Sequence, residues 1–205
     1  MSISSAPNHS LSHNPHQPQQ TTTPATMTDK TLILITGANQ GLGYYASQQL
    51  AATGNYHVLM GSRDLSKAEK AISTLAADSS VKLDAKNLEA IQLDVTDDDS
   101  IKAAAATVEK KYGRLDILLN NAGVALAQEA DPSGKGPTMR ELYFQHYNPN
   151  VFGAAITTDV FLPLLRKGRD KRVAFTSSGL ASLTFQTTVP QYAGVSDMRL
   201  DGVGS

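Results

Sequence analysis

Gly37, Gly41 and Gly43 stand at a G-x-x-x-G-x-G spacing, directly behind the apolar run Leu32-Ile33-Leu34-Ile35 and Thr36. Helical periodicity follows them. Glycine turns a chain through positive φ and lets a phosphate approach where a Cβ would stand. A helix that opens on such a turn offers unpaired N–H groups and a partial positive charge. The chemistry open to these residues is to cradle a dinucleotide pyrophosphate. The same spacing also fits a strand, turn and helix with no ligand, so alone it leaves both readings open.

The elements that must position this turn alternate along the chain. Leu32 to Ile35, bounded by turn residues, reads as a strand buried on both faces. The first helix is expected from about Gly41 to Thr53, with Leu42, Ala46 and Leu50 on one face and Gly54-Asn55 as its stop. Tyr56 to Met60 is a second strand ending at Gly61. Leu65, Ala68, Ile72 and Leu75 mark a second helix, and Asp78 to Asn87 a polar linker. Leu88 to Val95 holds a third strand, with Ile91 and Leu93 pointing one way. Thr96-Asp97-Asp98-Asp99 has the pattern of a capping box, and Ile101, Ala105, Val108 and Tyr112 give the helix behind it a core face. Leu115 to Leu119 is a fourth strand. After a Gly/Pro/Ser loop from Ala130 to Pro137, a long helix runs from about Thr138 to Lys167. Pro149 interrupts it by removing one backbone bond. Arg172 to Thr176 is a fifth strand, and beyond Ser177 the pattern fades. Repeated βα units imply parallel strands with right-handed crossovers, the doubly wound α/β class. Ligands in that class bind at the carboxyl ends of the strands.

Composition narrows the function classes. The chain has 205 residues and a formal net charge of −1, which suits one α/β domain plus a tail and gives no footprint for nucleic acid or an anionic membrane. It has no cysteine, hence no disulfide framework, thiolate metal site or thiol nucleophile. That suits a reducing compartment, and a cytoplasmic location is the expectation. No apolar run reaches the length of a membrane span; Val151 to Leu165 is broken by Thr157, Thr158, Asp159 and Pro163. Met1 to Thr28 is rich in Ser, Thr, Pro, Gln, Asn and His and lacks aromatic residues. Such a segment buries too little apolar surface to offset the entropy of ordering, so residues 1–29 are expected to be a disordered polar tail. It has neither the basic start and apolar centre of a secretory signal nor the arginines of a mitochondrial presequence. His9, His13 and His16 are read as scattered tail residues, and no metal site is assigned.

Several motifs, in order, make the chain from Lys30 to about Ser178 resemble the short-chain dehydrogenases/reductases. Thr36 to Gly43 looks like the family's TGxxxGxG loop, Leu93-Asp94-Val95 like its Asp-Val after strand three, and Asn120-Asn121-Ala122-Gly123 like its NNAG element. Asn150-Val151-Phe152-Gly153 resembles its Asn-x-x-Gly helix motif, and Thr176-Ser177-Ser178 the end of its strand five. The resemblance implies a Rossmann-like sheet of about five strands, in the order 3-2-1-4-5, without the family's C-terminal strands. It implies a nicotinamide cofactor held by Gly37, Asn39, Gln40, Gly41, Leu42 and Gly43. Asp94 and Val95 would lie at the adenine, with Asn121, Ala122 and Gly123 beside the cofactor. Ser178 would bind the oxygen of a small carbonyl or alcohol substrate, and Asn150 would take part in a catalytic tetrad. Several residues also have a plainer reading: Asp94 as a capping acid, Asn121 as a turn residue, Ser178 as a loop serine, Arg63 as a solvated surface cation. Strand two bears on the cofactor. A carboxylate there bonds the ribose 2′-OH of NAD, whereas a 2′-phosphate needs a cation. The strand ends Gly61-Ser62-Arg63-Asp64. Arg63 can grip a phosphate in bidentate fashion and Ser62 can add a hydroxyl, while Asp64 is placed to cap the next helix. NADP(H) is therefore expected ahead of NAD(H).

The match departs from the family at three points. Tyr192 lies roughly where the family's proton donor belongs, but Ser196 stands four residues on, in place of the lysine; the next basic residue is Arg199. The chain then closes on Asp201-Gly202-Val203-Gly204-Ser205 with no strand or helix pattern, leaving strand five an uncovered edge. Pro149 directly precedes Asn150, where it is either tolerated at a kink or shifts the Asn side chain. The chain thus divides into the tail, a nucleotide-binding domain over 30–185 and an irregular segment over 186–205. Three readings follow: an NADP(H)-dependent oxidoreductase, a non-catalytic NADP(H)-binding module, or a truncated form of a longer reductase. Substrate-selecting residues would lie between Val124 and Pro137 and in the missing C-terminal part. A homo-oligomer packed on the fourth and fifth helices is a further implication of the family.

Overall fold

Leu32 and Leu34 enter one hydrophobic core and Ile33 and Ile35 another, and all four are buried. This alternation sets the architecture of the computed structural model, which describes residues 29–125, 135–182 and 184. The strands are β1 (Thr31–Ile35), β2 (Tyr56–Ser62), β3 (Leu88–Gln92), β4 (Ile117–Asn120) and β5 (Arg172–Phe175). They form one parallel sheet in the order β3-β2-β1-β4-β5. Helices α1 (Gly41–Ala52) and α2 (Leu65–Ala77) cover one face; α3 (Asp98–Tyr112) and α5 (Ala154–Lys167) cover the other. α4 (Met139–Tyr147) leads into α5 through a π-helical turn, Asn148–Gly153. The fold is the Rossmann-like doubly wound class expected. Its two cores are mostly Leu, Ile, Val and Met, with Phe161 of α5 fully buried; each such side chain contributes about 1.5–3 kcal/mol of hydrophobic free energy.

Several boundaries differ from the sequence expectation. β2 runs past Met60 to Ser62, because Gly61 and Ser62 pair with Ile91 and Gln92 of β3. Gly61 belongs in the sheet: a Cβ there would lie 3.0 Å from the Ile35 carbonyl oxygen. β3 stops at Gln92 rather than Val95, and β4 spans Ile117–Asn120 rather than Leu115 to Leu119. In α1 the buried stripe is Gly43, Ser47 and Ala51, with Leu42 71% exposed. Small side chains let this helix approach the sheet closely, and Leu42 is left at the rim. The cap of α3 is Asp97, whose carboxylate accepts from the N–H groups of Asp99 and Ser100; the Thr96 hydroxyl donates to Asp94 instead. Pro149 is accommodated by the π turn, which absorbs the lost hydrogen bond without ending the helix.

The tail, apart from Asp29, and most of the Ala130 to Pro137 loop lie outside the described residues, as do Tyr192 and the whole of 186–205. β5 pairs with β4 and all four of its residues are exposed. Among the described residues no helix is long and apolar enough to cross a membrane.

Candidate functional site

The carboxyl end of β1 is built around Thr36, which is 1% exposed. Its hydroxyl oxygen accepts from the backbone N–H groups of Asn121 and Ala122, both at 2.9 Å. Asn121 answers across the gap: its Nδ2 donates to the carbonyls of Thr36 at 2.9 Å and Gly37 at 3.2 Å. Its Oδ1 accepts from the Thr176 hydroxyl at the exit of β5. The exits of β1, β4 and β5 are therefore locked together by side chains. Asn121 is a strut here, not a mere turn residue.

Two glycines of the loop have separate reasons to be glycine. Gly37 has φ +63°, and a Cβ on it would meet Ala122 Cα at 2.9 Å. Gly43 is helical, but a Cβ would lie 2.5 Å from Asn121 Nδ2 and 2.8 Å from the Gly37 carbonyl oxygen. Gly43 therefore serves packing against Asn121. At Gly41, with φ +59°, a Cβ would meet nothing within 4 Å, so that side of the turn is open.

The N-terminus of α1 lacks what those of α2, α3 and α4 have; α5, which continues from the π turn, needs no cap of its own. Asp64 caps α2, Asp97 caps α3, and Thr138 with Glu141 forms a capping box on α4. The Ser66 hydroxyl holds the Asp64 carboxyl below its usual range. Gln40 precedes α1 with no side-chain cap bond, and the first turn of α1 carries no acid. Its leading N–H groups remain for an anion. Beside this turn lies a cavity of about 310 Å³ lined by Asn39, Gln40, Tyr44, Lys67, Lys70 and other residues of α2.

The remaining candidates sit at adjacent strand exits. Arg63 is exposed and forms no ion pair among the described residues. Ser62 lies within β2, 1% exposed, with its oxygen accepting from the Asp64 N–H at 3.3 Å; it braces the turn instead of presenting its hydroxyl to solvent. Asp94 is half-buried, and its Oδ1 accepts from the Thr96 N–H at 2.9 Å and hydroxyl at 2.7 Å. It closes a local turn, while capping of the helix falls to Asp97. Val95 is buried, and its carbonyl oxygen lies where a Cβ on Gly153 would come within 2.5 Å. The glycine of Asn-x-x-Gly thus lets the π turn close on the exit of β3.

Asn150 Oδ1 accepts from the Val124 N–H at 2.8 Å, and its Nδ2 donates to the Val124 carbonyl at 2.9 Å. A Cβ on Gly123 would sit 3.0 Å from that Oδ1. The Asn150 side chain therefore clamps the loop after β4. Ser178 is exposed beyond β5, where its carbonyl accepts from the Ala181 N–H at 3.0 Å. A groove of about 360 Å³, lined by Asn150, Val151, Ala154, Ala155 and Phe175 among others, runs between α5 and β5.

The structure thus brings the glycine loop, Asn121, Ala122 and Gly123 into one interlocked unit, with Arg63 and Asp94 on one flank and Asn150 and Ser178 on the other. Tyr192 lies outside the described residues. Sequence reasoning missed the bridging role of Thr36, whose signal was a hydroxyl directly before the first loop glycine.

A family model described as short chain dehydrogenase matches residues 31–194. The short-chain dehydrogenase anuI of Penicillium roqueforti (strain FM164) is 45% identical over 156 residues, covering 75% of this chain and 58% of its own length. The short-chain dehydrogenase/reductase tropE of Talaromyces stipitatus is 40% identical over 164 residues, covering 80% of this chain and 59% of its own. The solved structure of salutaridine reductase from Papaver somniferum matches with a TM-score of 0.63 at 27% identity, covering 76% of this chain and 60% of its own. The chain spans about three fifths of the length of these curated relatives.

Proposed function

This chain belongs to the short-chain dehydrogenase family, and from that membership we propose that it binds NADP(H) at the carboxyl ends of its strands and serves an oxidoreductase acting on a carbonyl or secondary alcohol. The observation that carries the reading is the uncapped start of α1 behind an open glycine turn, in a chain whose α2, α3 and α4 are all capped by side chains. Gly37, Asn39, Gln40, Gly41, Leu42 and Gly43 would hold the pyrophosphate against those N–H groups. Arg63 would take the 2′-phosphate, since its guanidinium is exposed and forms no ion pair among the described residues. With Asp94 Oδ1 engaged by Thr96, Oδ2 is the oxygen left to meet an adenine amino group. Asn121, which bonds the Thr36 and Gly37 carbonyls, would steady the loop beside the cofactor. When bound, the cofactor supplies the hydride chemistry.

Ser178 would donate to the substrate oxygen. Asn150 has already given one donor and one acceptor to Val124. Its second amide hydrogen and the backbone of the π turn are what it has left for a proton relay. Tyr192 would be the proton donor, weakened because Ser196 replaces the lysine that would lower its pKa; an unassisted tyrosine, near pKa 10, is a poor acid–base group at neutral pH. The same substitution supports the second reading, a non-catalytic NADP(H)-binding module. Exposed Tyr143, Phe144 and Tyr147 on α4 support self-association of copies, and the cytoplasm is the proposed location.

Titration of the purified chain with NADPH and NADH, followed by a carbonyl turnover assay, tests the proposal. Tighter NADPH binding with slow or no turnover is expected. Equal affinities would remove the NADP(H) assignment. Robust NADPH consumption that Tyr192→Phe abolishes would show the catalytic site to be complete.

A further inference from the structure

We propose that Ser100 and Gln92 are positioning residues that hold Arg63 and Asp94 in fixed register and so set the preference for NADP(H) over NAD(H). This rests on the cofactor reading above. The β2–β3 ladder ends with Ser62 opposite Gln92, and the Leu93 N–H donates to the Ser62 carbonyl at 2.8 Å. Arg63 and Asp94 therefore leave the sheet from neighbouring strand ends.

Three hydrogen bonds bridge them. The Asp94 N–H donates to Ser100 Oγ at 2.9 Å, the Ser100 hydroxyl donates to Gln92 Oε1 at 3.1 Å, and Gln92 Nε2 reaches the Arg63 carbonyl at 3.5 Å. Their polarity is consistent along the whole chain. A backbone N–H can only donate and a backbone carbonyl can only accept, so the single hydroxyl proton of Ser100 must point to Gln92, and the Gln92 amide has one permitted orientation. Ser100 is 9% exposed, and its own N–H donates to the Asp97 carboxylate that caps α3. The relay is thereby anchored to the first turn of a 15-residue helix.

Each member has a distinct consequence. Gln92 is the member that reaches Arg63, and the Asp94 N–H keeps its bond to Ser100 Oγ without it; Arg63 meets only the 2′-phosphate, so loss of the Gln92 amide penalises NADP(H) before NAD(H). Ser100 also fixes the backbone of Asp94, whose carboxylate would meet the adenine of either cofactor, so its loss weakens both while narrowing their ratio. A hydroxyl restored on the same carbon reverses the effect.

Calorimetric titration of the full chain and its variants with NADPH and with NADH tests the relay. Gln92→Leu removes the bond to the Arg63 carbonyl and the bond from the Ser100 hydroxyl; it should weaken NADPH by about fivefold and leave NADH within about twofold, on the scale of the net contribution of a hydrogen bond. Ser100→Ala should weaken both and reduce the ratio, and Ser100→Thr should recover it. Gln92 is exposed, so an unchanged melting temperature in Gln92→Leu separates positioning from misfolding even if Ser100→Ala folds poorly. If wild type prefers NADPH but the ratio survives both Gln92→Leu and Ser100→Ala, the relay is overturned and the cofactor reading stands. If wild type binds the two equally, or neither, the cofactor reading falls and the relay with it.

Discussion

The two ends of one sheet treat charge in opposite ways. At the amino ends, Asp116 is fully buried and accepts from the Leu32 N–H at 2.8 Å, the Arg169 N–H at 2.7 Å and Arg114 Nε at 3.2 Å. Burial pushes its carboxyl up, but those donors outweigh burial and hold it below the usual range. Glu89, near the amino end of β3, accepts from Lys111 Nζ and the Tyr112 hydroxyl, both at 2.5 Å, with His57 Nε2 at 3.5 Å. Burial again pushes up, and the bonds from His57, Lys111 and Tyr112 pull the Glu89 pKa to about 2. These charges are consumed inside the fold. At the carboxyl ends the side chains lock loops together, yet the start of α1 is uncapped and Arg63 forms no ion pair among the described residues. A charge satisfied within the chain serves stability; on the proposed reading, the groups left open at the strand exits would serve a ligand.

The largest expected effect falls at the amino end. Asp116→Ala leaves the buried Leu32 N–H, the Arg169 N–H and Arg114 without their acceptor, and should cost about 3–5 kcal/mol of stability in urea denaturation. The folded fraction should keep its cofactor preference; a changed preference would break the separation of the two ends. Gly43→Ala should come next. Its Cβ has to displace Asn121 Nδ2 or the Gly37 carbonyl, an overpacking cost of about 1–3 kcal/mol. Because that strain sits in the loop, NADPH affinity should drop about tenfold or more in titration. A variant that loses stability but binds normally would show that the loop does not depend on this contact. The smallest effect concerns Glu89. Its folded pKa of about 2 lies below the ordinary 4.5, so it stabilises the fold above that ordinary value. This contribution fades as pH falls from there toward 2. Glu89→Gln should flatten stability against pH in that window and leave cofactor binding near neutral pH unchanged; an unflattened acid limb would contradict the assignment.

The sequence carried the layered architecture because its signals are local. The continuous apolar run of β1 and the helical spacing of Ile101, Ala105, Val108 and Tyr112 need no partner to be read. What misled was set by contacts across the chain. Gly61 reads as a strand stop until β3 pairs with it. Leu42 reads as a core residue, yet the glycine and serine beside it are what lets α1 close on the sheet. Thr96 reads as a cap until Asp94 takes its hydroxyl. In the site, the glycine spacing was legible, but the reason for Gly43 was not, because Asn121 is 78 residues away in the chain. The bond from Asn150 to Val124 was equally invisible, and it explains how a proline can precede Asn150 without freeing its side chain.

The account is tested most directly by the melting temperature of wild type and Arg63→Ala with NADPH or NADH at equal concentration. At about one hundred times its Kd, a ligand stabilises the fold by about 2.7 kcal/mol, so NADPH should raise the wild-type melting temperature clearly more than NADH does. Arg63→Ala should melt like wild type without ligand and respond to NADPH no more than to NADH. Equal shifts from the two cofactors in wild type, or an NADPH shift that survives Arg63→Ala, would contradict the claim that the open cation at the carboxyl end of β2 is there for a 2′-phosphate.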